Sequence, residues 1–322
     1  MTRWVGIDEA GYGPNLGPLV MTAVVADGPG GRRPDVWGDL AATVSRAGGP
    51  ADRLWVDDSK RVYQGRRGRD RLDAATLAVV AAAAAASDTP APETFAGLLG
   101  ALGAGTLADA ELAPWVDEPG PDYPPPGSRE LAGRTLGRRP LDGAPWRVVA
   151  VRSVVVGPRA FNAGLAATGS KALVHFGAFA RLLADVRATT PQGVAVSVRG
   201  DKHGGRHFYG DLLAAAFPDA RVIRGEEGPT LSWYDLIAAG SRLSLGLVPR
   251  ADADDGLVAL ASIVSKAARE CWMDAFNAHW LARIPGLRPT AGYPGDAGRF
   301  RLAIEADCRS RGLAPEAWWR AK

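Results

Sequence analysis

The stretch Val5-Gly-Ile-Asp-Glu-Ala-Gly-Tyr-Gly-Pro-Asn-Leu-Gly-Pro-Leu-Val20 sets two adjacent carboxylates, Asp8 and Glu9, where a strand breaks into a glycine-rich turn. Two carboxylates forced together repel unless a cation lies between them. In a regular strand these two side chains point to opposite faces. Both reach one pocket only if the period of two fails there, which Gly11 and Gly13 would allow. Taken alone, such a pair is more often a solvated turn. Two further acidic positions change the weighing. Asp201 follows the strand-like segment Gly193 to Val198, in the loop Arg199-Gly-Asp-Lys-His-Gly-Gly-Arg206. Asp252 lies in Ala251-Asp-Ala-Asp-Asp-Gly256, ahead of a long helix whose dipole favours its ionised form. Asp254 and Asp255 in that cluster read as helix caps. Loops at strand ends are where α/β sheets place their chemistry. Oxygen ligands with no histidine or cysteine among them suit magnesium or manganese, and two such ions form a clamp for in-line attack on a phosphodiester.

The elements that must position these acids follow from periodicity and punctuation. Trp4, Val5 and Ile7 belong to a buried strand, and Leu19 to Ala26 returns from the turn as a second. A helix is expected near Val36 to Arg46, then the polar elbow Trp55-Val-Asp-Asp-Ser-Lys60. The basic run Arg61 to Arg71 reads as a solvated face. An alanine-rich helix over Leu72 to Ala86 and a loop-rich stretch from Gly97 to Gly143 make residues 61–145 an insertion. Trp146 to Val156 is strand-like, and Phe161 to Ala188 is helical in pattern, weakened at Gly164 and Gly169. A helix over Phe208 to Phe217, strands at Arg221 to Arg224 and Arg242 to Val248, and a helix over Leu257 to Trp280 follow. Strands alternating with helices after an initial hairpin indicate an α/β domain with a mixed sheet.

At 322 residues and 47% hydrophobic, the chain is long enough for a full core, as one large domain or two small ones. A net charge of +3 and a pI near 9.0 fit a polyanionic partner without demanding one. Cys271 and Cys308 are the only cysteines, and four histidines supply no zinc spacing, which argues against a disulfide framework and a structural zinc. The N-terminus has no signal-peptide pattern, and the longest apolar run, Leu77 to Ala86, is too short to span a bilayer. The expectation is a soluble cytoplasmic protein with no membrane association. Arginine supplies nearly all the positive charge, so the few lysines are informative: Lys60, Lys171, Lys202 and Lys266 all lie beside polar or glycine motifs.

Four motifs then occur in order: Asp8-Glu-Ala-Gly11 with Gly13 and Gly17-Pro18, Asp58-Ser-Lys60, Ala261-Ser-Ile-Val-Ser-Lys266 with Arg269, and Gly292-Tyr-Pro294. Together they resemble the ribonuclease HII family. The resemblance covers the first sixty or so residues and Asp252 to Pro294 well, and the centre loosely. It implies an RNase H-like mixed β-sheet flanked by helices, here over residues 1–322 with the helical and loop-rich insertion within it. The activity implied is a metal-dependent endoribonuclease, a hydrolase that cuts RNA in RNA/DNA hybrids or ribonucleotides embedded in duplex DNA. Two ions, Mg2+ or Mn2+, would be held by Asp8, Glu9, Asp201 and Asp252, and the ends left would be 5′-phosphate and 3′-hydroxyl. Asp8 and Glu9 fall on the family's first two ligands and Asp252 on its last. Asp201 is the choice for the third, and its separation from Asp252 requires a second insertion. Lys60, Lys266 and Arg269 would meet backbone phosphates. Gly11 and Gly13 match the glycines that approach the ribose 2′-hydroxyl, and Tyr293 the tyrosine that packs on a sugar beside the scissile bond. Tyr12 departs from the family, which has arginine between those glycines. No obligate protein partner is evident. A relative cutting another nucleic acid, such as junction DNA, and a catalytically silent nucleic-acid-binding module are the alternatives.

Overall fold

Alternation along the first two strands decides how the layers stack. In the computed structural model, which describes residues 1–238 and 240–321, β1 (Thr2–Ala10) pairs antiparallel with β2 (Leu19–Gly28), from Thr2 opposite Gly28 to Ala10 opposite Val20. On β2, Leu19, Met21, Ala23 and Val25 enter one hydrophobic cluster, whereas Val20, Val24 and Ala26 enter another. The sheet is therefore covered on both faces, and the strand that carries both sets reads as continuously apolar.

The covers come in chain order. α1 (Val36–Asp39) is capped by the Asp35 side chain and ends at Leu40, one turn rather than the helix expected through Arg46. The chain goes instead into β3 (Val44–Ser45), paired with β4 (Leu54–Trp55) in a small parallel ribbon. α2 (Ser59–Val62), α3 (Gly68–Ala85), α4 (Phe95–Ala101) and α5 (Arg129–Arg138) make up the helical, loop-rich segment. β5 (Arg147–Val156) then pairs antiparallel with β2. The helical run after it is two helices, α6 (Pro158–Thr168) and α7 (Lys171–Thr189), parted at Gly169, whose left-handed φ of 64° ends the first.

β6 (Ala195–Asp201), α8 (Gly210–Ala216), β7 (Arg221–Glu227), β8 (Ser232–Ala238) and β9 (Ser241–Val248) follow, then α9 (Ala251–Asp254), α10 (Gly256–Leu281) and α11 (Pro294–Ser310). Neither β8 nor α11 was expected from sequence. β8 lies between β7 and β9, so most of its residues are buried and its alternation is suppressed. α11 buries only the stripe Ala297, Phe300, Ile304 and Cys308, a helical spacing masked by its glycines and arginines.

Among the described residues the main sheet has the order β5-β2-β1-β6-β9-β8-β7. β6 is parallel to β1 and β9 is parallel to β6, so the C-terminal ends of all three meet at one edge. Asp8 and Asp201 reach that edge, and the chain after β9 carries Asp252 there. α8 and the β7–β8 hairpin account for the long interval between Asp201 and Asp252, widening the sheet beyond β9.

α10 is buried along nearly its whole length because it is covered twice, by β1 and β2 on one side and by α3 and its neighbours on the other. Leu72, Leu98 and Leu112 of the 61–145 segment share one cluster with Leu260, Trp272 and Phe276 of α10. Burial of each such side chain contributes about 1.5–3 kcal/mol.

Candidate active site

β1 stays regular through Ala10, so Asp8 and Glu9 leave opposite faces of the strand and the expected break in the period of two does not occur. Pairing with β2 holds the strand straight, and the turn starts only at Gly11, with φ 89°. Asp8 faces α10, where the Ser262 hydroxyl donates to it. Glu9 faces α7, where its carboxylate lies 3.3 Å from His175 Nε2. At the sheet edge the two charges still act on each other. Burial first, and then Glu9 and Asp252, push Asp8 well above the usual carboxylate range.

Asp201 ends β6, and the parallel register that sets Ile7 beside Gly200 brings it alongside Asp8. Its Oδ1 accepts from the main-chain N–H of Lys202 at 2.8 Å and of Arg250 at 2.7 Å. This tie fixes the start of α9, and with it Asp252. Burial and the charge of Glu9 raise Asp201 against those hydrogen bonds. Asp252 is pushed up to about 6 by burial, then Asp58 and Asp201, with Lys60 opposing. Asp58 is an acid that sequence reading passed over. It caps α2 by accepting from Lys60 N at 2.7 Å, and a capping pattern hides a second role.

The serines of the third motif explain why four motifs travel together. The Ser262 and Ser59 hydroxyl oxygens lie 3.0 Å apart, joining the third motif to the second. Ser265 lies within 3.0 Å of the Asp8 carbonyl and 2.8 Å of the Thr22 hydroxyl, which in turn meets Ser153 at 2.8 Å. These hydroxyls lock α10, β1, β2, β5 and α2 into one support behind Asp8. Asp255 caps α10 through the N–H groups of Leu257 and Val258, as its position in the sequence suggested.

The glycine loop is held from three directions. The Gly292 carbonyl accepts from Asn15 N at 2.9 Å and Leu16 N at 3.2 Å, joining the first motif to the last. Arg269, buried, donates to the carbonyls of Leu16 and Ala291 at 3.2 and 2.9 Å. Arg320, also buried, donates to the carbonyls of Gly11 and Tyr12 and lies 3.9 Å over the Phe161 ring. A Cβ on Gly11 would fall 2.3 Å from the Pro18 carbonyl oxygen, whereas one on Gly13 would meet nothing within 4 Å. Gly11 is thus required by the fold, and Gly13 leaves the main chain open. Tyr12 packs edge-on against His175, with Lys171 Nζ 4.8 Å from its ring centre.

The basic residues divide. Lys60 is exposed beside Asp252. Lys266 is paired with Glu270 at 2.9 Å and lies over the Tyr63 ring, and Arg269 braces the loop as described. Tyr293 is 47% exposed at the rim, with the Arg269 guanidinium 5.6 Å from its ring centre.

Asp8, Asp201 and Asp252 are each raised in part by neighbouring carboxylates, so this edge is a donor set short of positive charge. Among the described residues no three His, Cys, Asp or Glu side chains form a ready cage for one ion. Magnesium needs none, because it keeps several waters and takes one or two carboxylates together with substrate oxygens. The residues fit hard divalent cations.

No protein-family model matches the chain, and no curated protein matches it. Among solved structures it is similar to that of the PCNA:RNase HII complex from Archaeoglobus fulgidus, at 15% identity over 99% of this chain and 94% of that one, with a TM-score of 0.43. It is similar to the ribonuclease H2 from Pyrococcus horikoshii OT3 at 14% identity over 98% and 92%, TM-score 0.47. It is similar also to Bst-RNase HIII in complex with Mn2+ at 16% identity over 99% and 66%, TM-score 0.38. Likenesses at this level carry no argument about activity. The strand order and the helices on both faces make this an RNase H-like mixed α/β fold, as the motifs implied. No helix among the described residues is long and apolar enough to cross a membrane.

Proposed function

We propose that this chain is a ribonuclease HII-type endoribonuclease of the cytoplasm, hydrolysing the RNA strand of RNA/DNA hybrids or ribonucleotides embedded in duplex DNA. The observation that carries the reading is the meeting of Asp8, Asp201 and Asp252 at one sheet edge with charges that raise one another, beside an open glycine main chain. Two divalent ions, held by Asp8, Asp201 and Asp252 with Glu9 contributing from the α7 side of the strand end, would activate the attacking water and neutralise the leaving 3′-oxygen, giving 5′-phosphate and 3′-hydroxyl ends.

The chain's own part is positioning. Ser262 and the hydroxyls behind it orient Asp8, and Arg250 N–H orients Asp201. The main chain at Gly11, Tyr12 and Gly13 is placed to meet a ribose 2′-hydroxyl, and Tyr293 offers a half-exposed face to a neighbouring sugar. Lys60 is placed for a backbone phosphate. Lys266 reaches one only by exchanging Glu270, and Arg269 acts through the loop it braces. Lys171 keeps a cation beside position 12, where the resembled family has arginine.

The test is cleavage of labelled RNA/DNA hybrid, duplex DNA and junction DNA with and without magnesium, using Asp8→Asn as the control. Metal-dependent cutting of the hybrid by the native chain alone is expected. Cutting of junction DNA instead, or binding with no cutting, would replace the reading by one of its alternatives.

A further inference from the structure

The basic run Arg61 to Arg71 reads as a solvated face, yet two of its arginines line a cavity. Arg67 and Arg71, at the start of α3, converge with Arg134 and Arg138 of α5 and with Arg53 before β4 around a cavity of about 400 Å³ that has Trp55 in its wall. Arg134 and Arg138 are four residues apart on one helix and so share a face. The Arg71 guanidinium lies 3.9 Å from the Trp55 ring centre and donates to the Gln64 carbonyl at 3.3 Å. Arg138 donates to the Asp52 carbonyl at 2.7 Å. Arg67 has an acidic partner in Asp70 at 3.3 Å and Arg134 one in Glu130 at 2.6 Å. Asp52 also lines the cavity. Among the described residues no carboxylate pairs with Arg53, Arg71 or Arg138, so the cavity keeps an excess of positive charge. Guanidinium groups gathered around one space repel unless an anion is supplied, and their planar forks match phosphate oxygens in pairs.

The place of the cavity argues for the anion. β4 leads directly to Asp58, whose charge acts on Asp252, and Asp58 comes only five positions after Arg53. At no more than about 3.6 Å per residue, Asp58 lies within roughly 18 Å of Arg53 in the cavity wall. A span of that size covers at most about five base steps of a duplex at ~3.4 Å each. Lys60, two positions after Asp58, is exposed.

We propose that the arginine cavity beside the 61–145 segment holds backbone phosphates of the same nucleic acid that is cut at the sheet edge, away from the scissile position. This rests on the proposed ribonuclease reading, and its test is kept separate from turnover. A fluorescent RNA/DNA hybrid two helical turns long is titrated in chelator, across a salt series, with the native chain, with the triple variant Arg53→Ala/Arg71→Ala/Arg138→Ala, and with the same three positions changed to lysine. The alanine variant is expected to bind at least ~10-fold more weakly and to lose about 2 to 3 from the slope of log affinity against log salt, since each phosphate contact contributes about 0.9. The lysine variant should keep most of the slope, which separates lost charge from lost fold. At saturating hybrid with magnesium, the alanine variant should keep native kcat. Native affinity and slope in the alanine variant would overturn the proposal even if the chain is a ribonuclease. Displacement of the hybrid by millimolar inorganic phosphate at constant ionic strength would also overturn it, by marking a site for a small phosphate. If no hybrid is cut in any metal while the binding difference persists, the ribonuclease reading fails and the cavity stands.

Discussion

Asp252 and Asp201 are acids whose chemistry the fold changes in ways that can be tested one residue at a time. Asp252 titrates near 6 in the fold against about 3.9 in an unfolded chain. With the folded value above the unfolded one, the native state holds the proton more tightly, so the contribution of Asp252 to stability in chelator is fully present below about pH 4 and is lost as pH rises to about 6 and above. We expect Asp252→Asn to flatten that part of the profile in urea titrations at stepped pH. An unchanged slope would mean that Asp252 is not held among like charges. Asp201 is both acid and tie: its Oδ1 accepts from Arg250 N–H, a bond asparagine can also make. Asp201→Asn should therefore lose metal-dependent cleavage at native Tm, whereas Asp201→Ala should lose cleavage and also about 1–2 kcal/mol of stability. Asp211→Asn, which breaks an exposed pair with Arg224, should do neither. Native cleavage in Asp201→Asn would remove Asp201 from the site.

Between elements, the decisive contact is that of β1 with α10. A Cβ at Gly6 would lie 2.3 Å from the Leu257 carbonyl carbon, so the helix axis can come this near only over glycine. Gly6→Ala should push α10 away, cost about 3 kcal/mol in denaturant melts, and lower cleavage because Ser262 leaves Asp8. Gly13→Ala has open space around the new methyl and should change stability by less than about 0.5 kcal/mol. A fall in cleavage by Gly13→Ala at native stability would then report substrate approach to the main chain. If Gly6→Ala is as stable as the native chain, close packing of α10 is not what supports Asp8.

For the molecule as a whole, the 61–145 segment acts as one wall of the core. Trp272 donates to the Ala110 carbonyl at 2.8 Å, His279 meets the Trp115 carbonyl at 2.7 Å, and Trp115 packs edge-on against Phe276. Replacing residues 61–145 by a short linker would expose Trp272, Phe276 and Trp280, at about 2–3 kcal/mol each. That sum is comparable to the whole stability of a domain. The shortened chain is expected to be insoluble or to lack a cooperative unfolding transition by circular dichroism. A cooperative, soluble product would show the segment to be an independent lobe.

Local pattern was enough for the strand ends, because a strand stops where glycine and proline begin: Asp8, Glu9, Asp201 and the approach to Asp252 were all legible as acids at such ends. The mixed α/β class was legible too, since it depends on the succession of periods. What sequence could not contain is whatever depends on partners far along the chain. Asp8 and Glu9 face opposite layers because β2 holds β1 regular through Ala10, whereas the glycines alone suggested a bend. Asp58 meets Asp252, and Ser59 meets Ser262, across about two hundred residues that only the packing of α2 on α10 brings together. Arg269 was expected to meet backbone phosphates, and the second cover over α10 leaves it buried with its guanidinium on the carbonyls of Leu16 and Ala291. The arginines at 53, 67, 71, 134 and 138 are scattered in sequence, and the contact of α3 with α5 beside β4 makes them one cavity. Periodicity describes a chain's neighbours within a turn or a strand, and a site is made of neighbours that the topology alone selects.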